Sequence, residues 1–236
     1  MLIYAGDSWA WKGYTDQNFD KQFALPSDKR MADFWDIPYT TAFTTPPSNL
    51  SVLDKVKLLD NKDPVIWVFT EPCRDYARIT GRPEFEWMWH KDFFKIRKEL
   101  RMRTLEEIKS TIQNPVALIG GLSDIDIEFA ESLGFKVLHP SWQKWIAHKV
   151  NNNTSFEFGI DTQGWGASDI GWRMHEHPDL KPSSQVVFAC HRLIQEWCHW
   201  ETHGYFNHDH PTPKANQEFA EFLRDDVVRW YHHVHQ

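Results

Sequence analysis

The sequence predicts a three-layer α/β/α sandwich around a parallel five-stranded sheet, from three observations. Apolar runs of strand length alternate with segments of helical spacing. Residues 65–69, Val-Ile-Trp-Val-Phe, are an unbroken apolar run, as required of a strand covered on both faces. The intervals between runs are long enough for the right-handed, helix-bearing crossovers that parallel strands need. At 236 residues the chain suits one domain, 1–236.

Residues 2–5 form the first expected strand and residues 39–44 the second, which Pro46-Pro47 stops. Residues 50–59 have helical spacing, and Pro64 precedes the central strand at 65–69. Thr104 with Glu107 matches a capping box and predicts a helix over 105–112, closed by Asn114-Pro115 before a strand at 116–119. Gly120-Gly121 turns the chain. Ser123 with Asp126 opens a helix through Leu133, Gly134 ends it, and residues 135–138 supply the fifth strand. A helix follows at 142–150. The stretch 151–182 is polar and rich in Gly and Trp, which reads as a long loop or lid; residues 185–200 and 213–231 read as the last helices.

Composition narrows the function. The net charge of −7 has interspersed signs and no long basic run, which argues against a nucleic-acid binder. The most basic stretch, 95–103, reads as a solvated helix face. The 13 Trp and 16 Phe exceed what a core needs, so some are free to line a cleft or a partner surface. Cys73, Cys190 and Cys198 fit neither a disulfide framework nor a zinc pattern and read as reduced thiols. No signal segment and no membrane-length apolar run is legible, so the expectation is a soluble, cytoplasmic protein without a membrane partner, in which the sequons at Asn49, Asn152 and Asn153 stay unmodified.

The chemistry-bearing residues lie near the two ends of the chain. The first strand stops on Gly6-Asp7-Ser8, which presents a hydroxyl at the carboxyl edge of the sheet, where α/β proteins bind ligands. A serine hydroxyl is protonated at neutral pH and attacks a carbonyl only if a base takes its proton. His210, in Asn207-His208-Asp209-His210-Pro211 before the closing helix, is the candidate base.

These residues resemble the SGNH, or GDSL-type, hydrolases, a flavodoxin-like α/β family of esterases, lipases, carbohydrate deacetylases and some acyltransferases. Gly6-Asp7-Ser8 is similar to the family's first block, residues 65–71 to its third, and His210-Pro211 to its last. The resemblance implies Ser8 as nucleophile, His210 as base and no cofactor. It also implies a small-molecule or carbohydrate ester as substrate. Two positions depart from the family pattern. Asn207 stands where the family has an aspartate three residues before the histidine, so Asn207 or Asp209 is the residue expected to orient the ring, with Asp7 a nearby alternative. Glu71 stands where the family has an oxyanion-donating asparagine; ionised it repels an oxyanion, and only a protonated Glu71 donates. Asn49, Cys73 and Arg74 are the substitute donors beside the Ser8 backbone N–H, and Glu71 otherwise pairs with Arg74.

Two rival readings remain. His199 and His203, four apart, with His208 nearby, suit a transition-metal site, and His175-Glu176-His177 forms a weaker cluster. Alternatively the fold is a non-catalytic module in which Trp165 and Trp172, with Asp169, bind a sugar or a protein.

Overall fold

The computed structural model describes residues 1–6, 10, 29–44, 48–82, 93–121, 124–150, 206–207 and 210–235. Five strands form one parallel sheet: β1 (Leu2–Gly6), β2 (Tyr39–Phe43), β3 (Val65–Phe69), β4 (Val116–Gly120) and β5 (Lys136–His139). Their order is β2-β1-β3-β4-β5, the flavodoxin-like arrangement, with Ile3 against both Thr40 and Val65, and Trp67 against Leu118. All five were expected, within a residue or two of these bounds.

Helices cover both faces. One layer holds α1 (Asn49–Val56), α3 (Phe93–Thr111) and α4 (Ile127–Ser132), and the other holds α5 (Trp142–Val150) and α6 (Pro213–Val234). The short α2 (Tyr76–Thr80) follows β3 through a 3-10 turn at Pro72–Asp75. Side chains alternate across the sheet as the pleat dictates. Leu2, Tyr4, Ile66, Val68, Ala117 and Ile119 pack toward Trp35, Phe219, Leu223 and Val227. Ile3, Ala5, Val65, Trp67, Phe69 and Leu118 pack toward Leu53, Leu105 and Ile108. The three central strands are buried throughout, which is why they read as continuous apolar runs.

The helix expected at 105–112 begins a dozen residues earlier, so the Thr104–Glu107 pair is no capping box. Thr104 is fully buried mid-helix, and its hydroxyl has no partner among the described residues. The reason lies in 93–103, whose Lys, Arg, Glu, Leu and Met favour helix and whose Arg97, Leu100 and Arg101 are buried along the same stripe as Leu105 and Ile108. Arg97 and Arg101 are therefore not part of a solvated face, although Lys95, Lys98 and Glu99 are exposed. The next helix opens later than expected: its cap is Asp126 rather than Ser123, since Asp126 accepts from the Phe129 N–H and the helix begins at Ile127, and Gly134 ends it with φ at 83°. Ser123, the loop at 151–182 and the helix at 185–200 lie outside the described residues. Among the described residues no helix is long and apolar enough to cross a membrane.

The direction of α6 fixes what it brings to the sheet. Phe219 meets the ring of His139, the last residue of β5, at 5.3 Å, and stacks on Trp142 at 5.2 Å and 10°. Farther along, Arg224 pairs with Asp36, which leads into the amino end of β2. The first turns of α6 therefore lie at the carboxyl edge, and the helix runs antiparallel to the strands. Trp35 fastens its middle by an indole N–H donated to the Ala220 carbonyl at 3.1 Å.

At the end of β1 a side chain on Gly6 would place its Cβ 2.5 Å from Ala10 Cβ and 3.0 Å from the Val68 carbonyl oxygen. Gly6→Ala is expected to destabilise the fold by about 1–3 kcal/mol. Urea unfolding checks this, and an unchanged midpoint would contradict so close a packing of Ala10 on Gly6.

Candidate functional site

With the order β2-β1-β3-β4-β5, the direction of winding reverses between β1 and β3, and open α/β sheets bind ligands outside the carboxyl ends of the strands at such a point. Gly6 ends β1 there, and Asp7 and Ser8 follow it directly in sequence but lie outside the described residues. On the β3 side stand Thr70 and Glu71. The closing segment contributes a two-stranded ladder, β6 (Phe206–Asn207) and β7 (His210–Pro211), in which Asn207 is the backbone partner of His210. Asp209 lies outside the described residues. Thr212 then caps α6, its hydroxyl accepting from the Ala215 N–H.

Glu71 is an ion-pair partner. Arg97 donates to both its carboxylate oxygens, Nε at 3.0 Å and Nη2 at 2.7 Å, with the side chains 4% and 7% exposed for Arg97 and Glu71. A carboxylate held by a two-pronged guanidinium accepts and does not donate. The protonated Glu71 considered from sequence gives way to this arrangement, in which the guanidinium that forks onto the carboxylate is that of Arg97. Arg74 belongs to the 3-10 turn, where its backbone N–H donates to the Glu71 carbonyl.

Asn49 is wholly buried and is used at both ends of its amide. Its Oδ1 accepts from the Thr70 N–H at 3.1 Å, while its Nδ2 donates to the Thr70 carbonyl and to Asp75 Oδ2, each at 3.2 Å. The side chain thus extends the ladder beyond the end of β3 and clamps α1 to it. Both amide hydrogens are spent, so Asn49 is a structural clamp and not the spare oxyanion donor expected from sequence. Asp75, also buried, accepts from the Leu50 N–H at 2.9 Å and so terminates the first turn of α1. Burial pushes its carboxyl above the ordinary aspartate range, against the opposing pull of the Leu50 N–H and of Ser48 and Asn49.

Sequence reasoning missed Arg97 and Asp75. Arg97 was legible in principle, because it shares a three-and-four spacing with Leu100, Leu105 and Ile108. His139 was also missed; its Nδ1 accepts from the Ser141 N–H at 3.1 Å at the carboxyl end of β5. His199, His203, His208, His175, His177, Trp165 and Trp172 lie outside the described residues. Among the described residues no three His, Cys, Asp or Glu side chains cluster to hold a metal. Comparison of the chain with family models, with curated proteins and with solved structures finds no match in any of the three.

Removing one member of a buried ion pair leaves the other charge uncompensated. Arg97→Met is expected to cost about 3–5 kcal/mol, and the double variant Glu71→Leu/Arg97→Met to recover most of it. Denaturant unfolding of the single and double variants measures this, and a double variant no more stable than Arg97→Met would contradict it. Asp75→Asn sets an amide N–H against that of Asn49 and is expected to cost about 1–3 kcal/mol at pH 7. Because the folded Asp75 carboxyl holds its proton above the unfolded value of 3.8, its contribution is greatest below that value and declines as pH rises through the raised one. That decline should vanish in Asp75→Asn, as unfolding midpoints of the two proteins at pH 3.5 to 7 will show.

Proposed function

We propose that the chain is a serine hydrolase cleaving an ester or O-acetyl group, with a carbohydrate as one candidate carrier, Ser8 as nucleophile and His210 as base. The observation that carries this reading is the convergence of distant segments on one edge. Gly6, two residues before Ser8, ends a strand flanked by β2 and β3, and β7, which contains His210, leads into a helix whose first turns pack at that same edge. The ion pair adds support. With Arg97 neutralising it, Glu71 no longer repels a negative oxygen in the crevice.

In this reading His210 takes the Ser8 proton as Oγ bonds to the carbonyl carbon and the C=O electron pair moves onto oxygen. Collapse restores the carbonyl and breaks the bond to the leaving alkoxide, which takes the proton from His210. Water then repeats the sequence on the acyl-serine, releasing the acid and regenerating Ser8. The chemistry calls for no cofactor. Asn207, opposed to His210 in the ladder, orients the ring through its amide oxygen, with Asp209 as the alternative.

Ser8→Ala and His210→Ala should each abolish p-nitrophenyl acetate cleavage; turnover surviving both would remove the proposed pair. Asn207→Asp supplies the missing negative charge and should raise kcat, by about tenfold or more if the amide is the orienting group. If kcat is unchanged there and falls in Asp209→Asn instead, the orienting role passes to Asp209.

A further inference from the structure

The most basic stretch of the chain, 95–103, has two faces. Arg97 and Arg101 are buried, while Lys95, Glu99 and Arg103 are exposed and form one wall of a groove of about 530 Å³ whose other wall is α2. The floor is apolar, with Tyr76 and Leu100 buried beneath it and Ile79 and Ile96 half-buried. From Lys95 to Arg103 the groove follows α3 for roughly 12 Å.

Charge is distributed unevenly along this length. At one end Lys95 is occupied with Glu99 at 3.9 Å. At the other, Arg103 donates to the Ile79 carbonyl at 3.4 Å, and Arg82 lies just beyond the left-handed turn at Gly81, its backbone N–H held on the Thr80 hydroxyl at 3.2 Å. Both arginines therefore stand where α2 stops. Both are exposed, and among the described residues neither guanidinium is in an ion pair. A chain of net charge −7 thus keeps two unneutralised guanidinium groups at the end of an apolar groove. The groove of about 650 Å³ between residues 35–38 and the far half of α6 offers the contrast, since there Arg224 is spent on Asp36 and Arg229 on Asp226.

Two complementary needs define the occupant. A small hydrated anion leaves the floor wet and an alkane leaves the guanidinium groups unneutralised, whereas an anion with an apolar tail meets both. A carboxylate presents the flat pair of oxygens that a guanidinium fork matches, and it carries a single charge. A doubly charged phosphate head would also meet Glu99, which lies one turn from Arg103 on the same helix. We infer that the groove between α2 and α3 binds a carboxylic acid with an extended apolar tail, the carboxylate on Arg82 and Arg103 and the tail along Ile79 and Ile96. The site draws on neither Ser8 nor His210, so it stands or falls apart from the hydrolase reading.

Calorimetric titration of the full chain with sodium decanoate, below the concentration at which decanoate forms micelles, should show saturable binding at one site. Octanoate, two methylenes shorter, should bind about three- to tenfold more weakly, and inorganic phosphate and decanol should not saturate the site. Arg82→Gln and Arg103→Gln should each weaken decanoate binding about tenfold, with unchanged unfolding midpoints because both side chains are exposed. Lys62→Gln, an exposed cation in the turn before β3, should bind as the wild type does. A wild-type chain that does not bind decanoate, a folded Arg82→Gln/Arg103→Gln variant that binds it undiminished, or an equal loss in Lys62→Gln overturns the site. Tighter binding of decyl phosphate than of decanoate overturns the carboxylate head.

Discussion

Two carboxylates, Glu71 and Asp75, are buried just past the end of β3, and the edge of the sheet depends on the groups that come to meet them. Arg97 reaches from α3 to the first, while Asn49 and the Leu50 N–H reach from α1 to the second. The two carboxylates are met from different helices of one layer, so satisfying them also sets where α1 and α3 sit against β3. Desolvation would expel either carboxylate from an apolar core, and only the complete set makes the arrangement tenable. The Asn49 amide joins the two halves, since it bonds both Thr70, at the strand end, and Asp75.

The sheet was legible from the sequence because its physics is local. Buried parallel strands need apolar residues at every position, and residues 65–69 and 116–119 say so without reference to anything else. Helix starts were less legible. Thr104-x-x-Glu107 reads equally as a cap or as two interior residues, and the choice turns on whether 93–103 has a surface to bury, a tertiary fact. The stop at Gly134 was correctly read because it depends on one residue's own backbone freedom, whereas the helix expected to open at Ser123 starts only after Asp126.

The site was legible only in outline. That a first-strand Gly-Asp-Ser would meet the carboxyl edge follows from the fold class, and α6 brings the β7 end of the closing segment to that same edge. What a polar side chain does there does not follow from its type. Asn49 and Asn216 carry the same amide, but the first is consumed by Thr70 and Asp75 and the second has no partner among the described residues. Glu71 likewise changes meaning once Arg97, twenty-six positions away, is known to hold it.

The indole bond from Trp35 to the Ala220 carbonyl joins positions 185 residues apart. Closing so long a loop costs chain entropy that the contacts of α6 must return. Without that helix Tyr4, Val68 and Ile119 would lack part of their cover, and the sheet would present an apolar face to its surroundings. The same helix that brings β7 to the carboxyl edge is thus also the cover of one apolar face of the sheet.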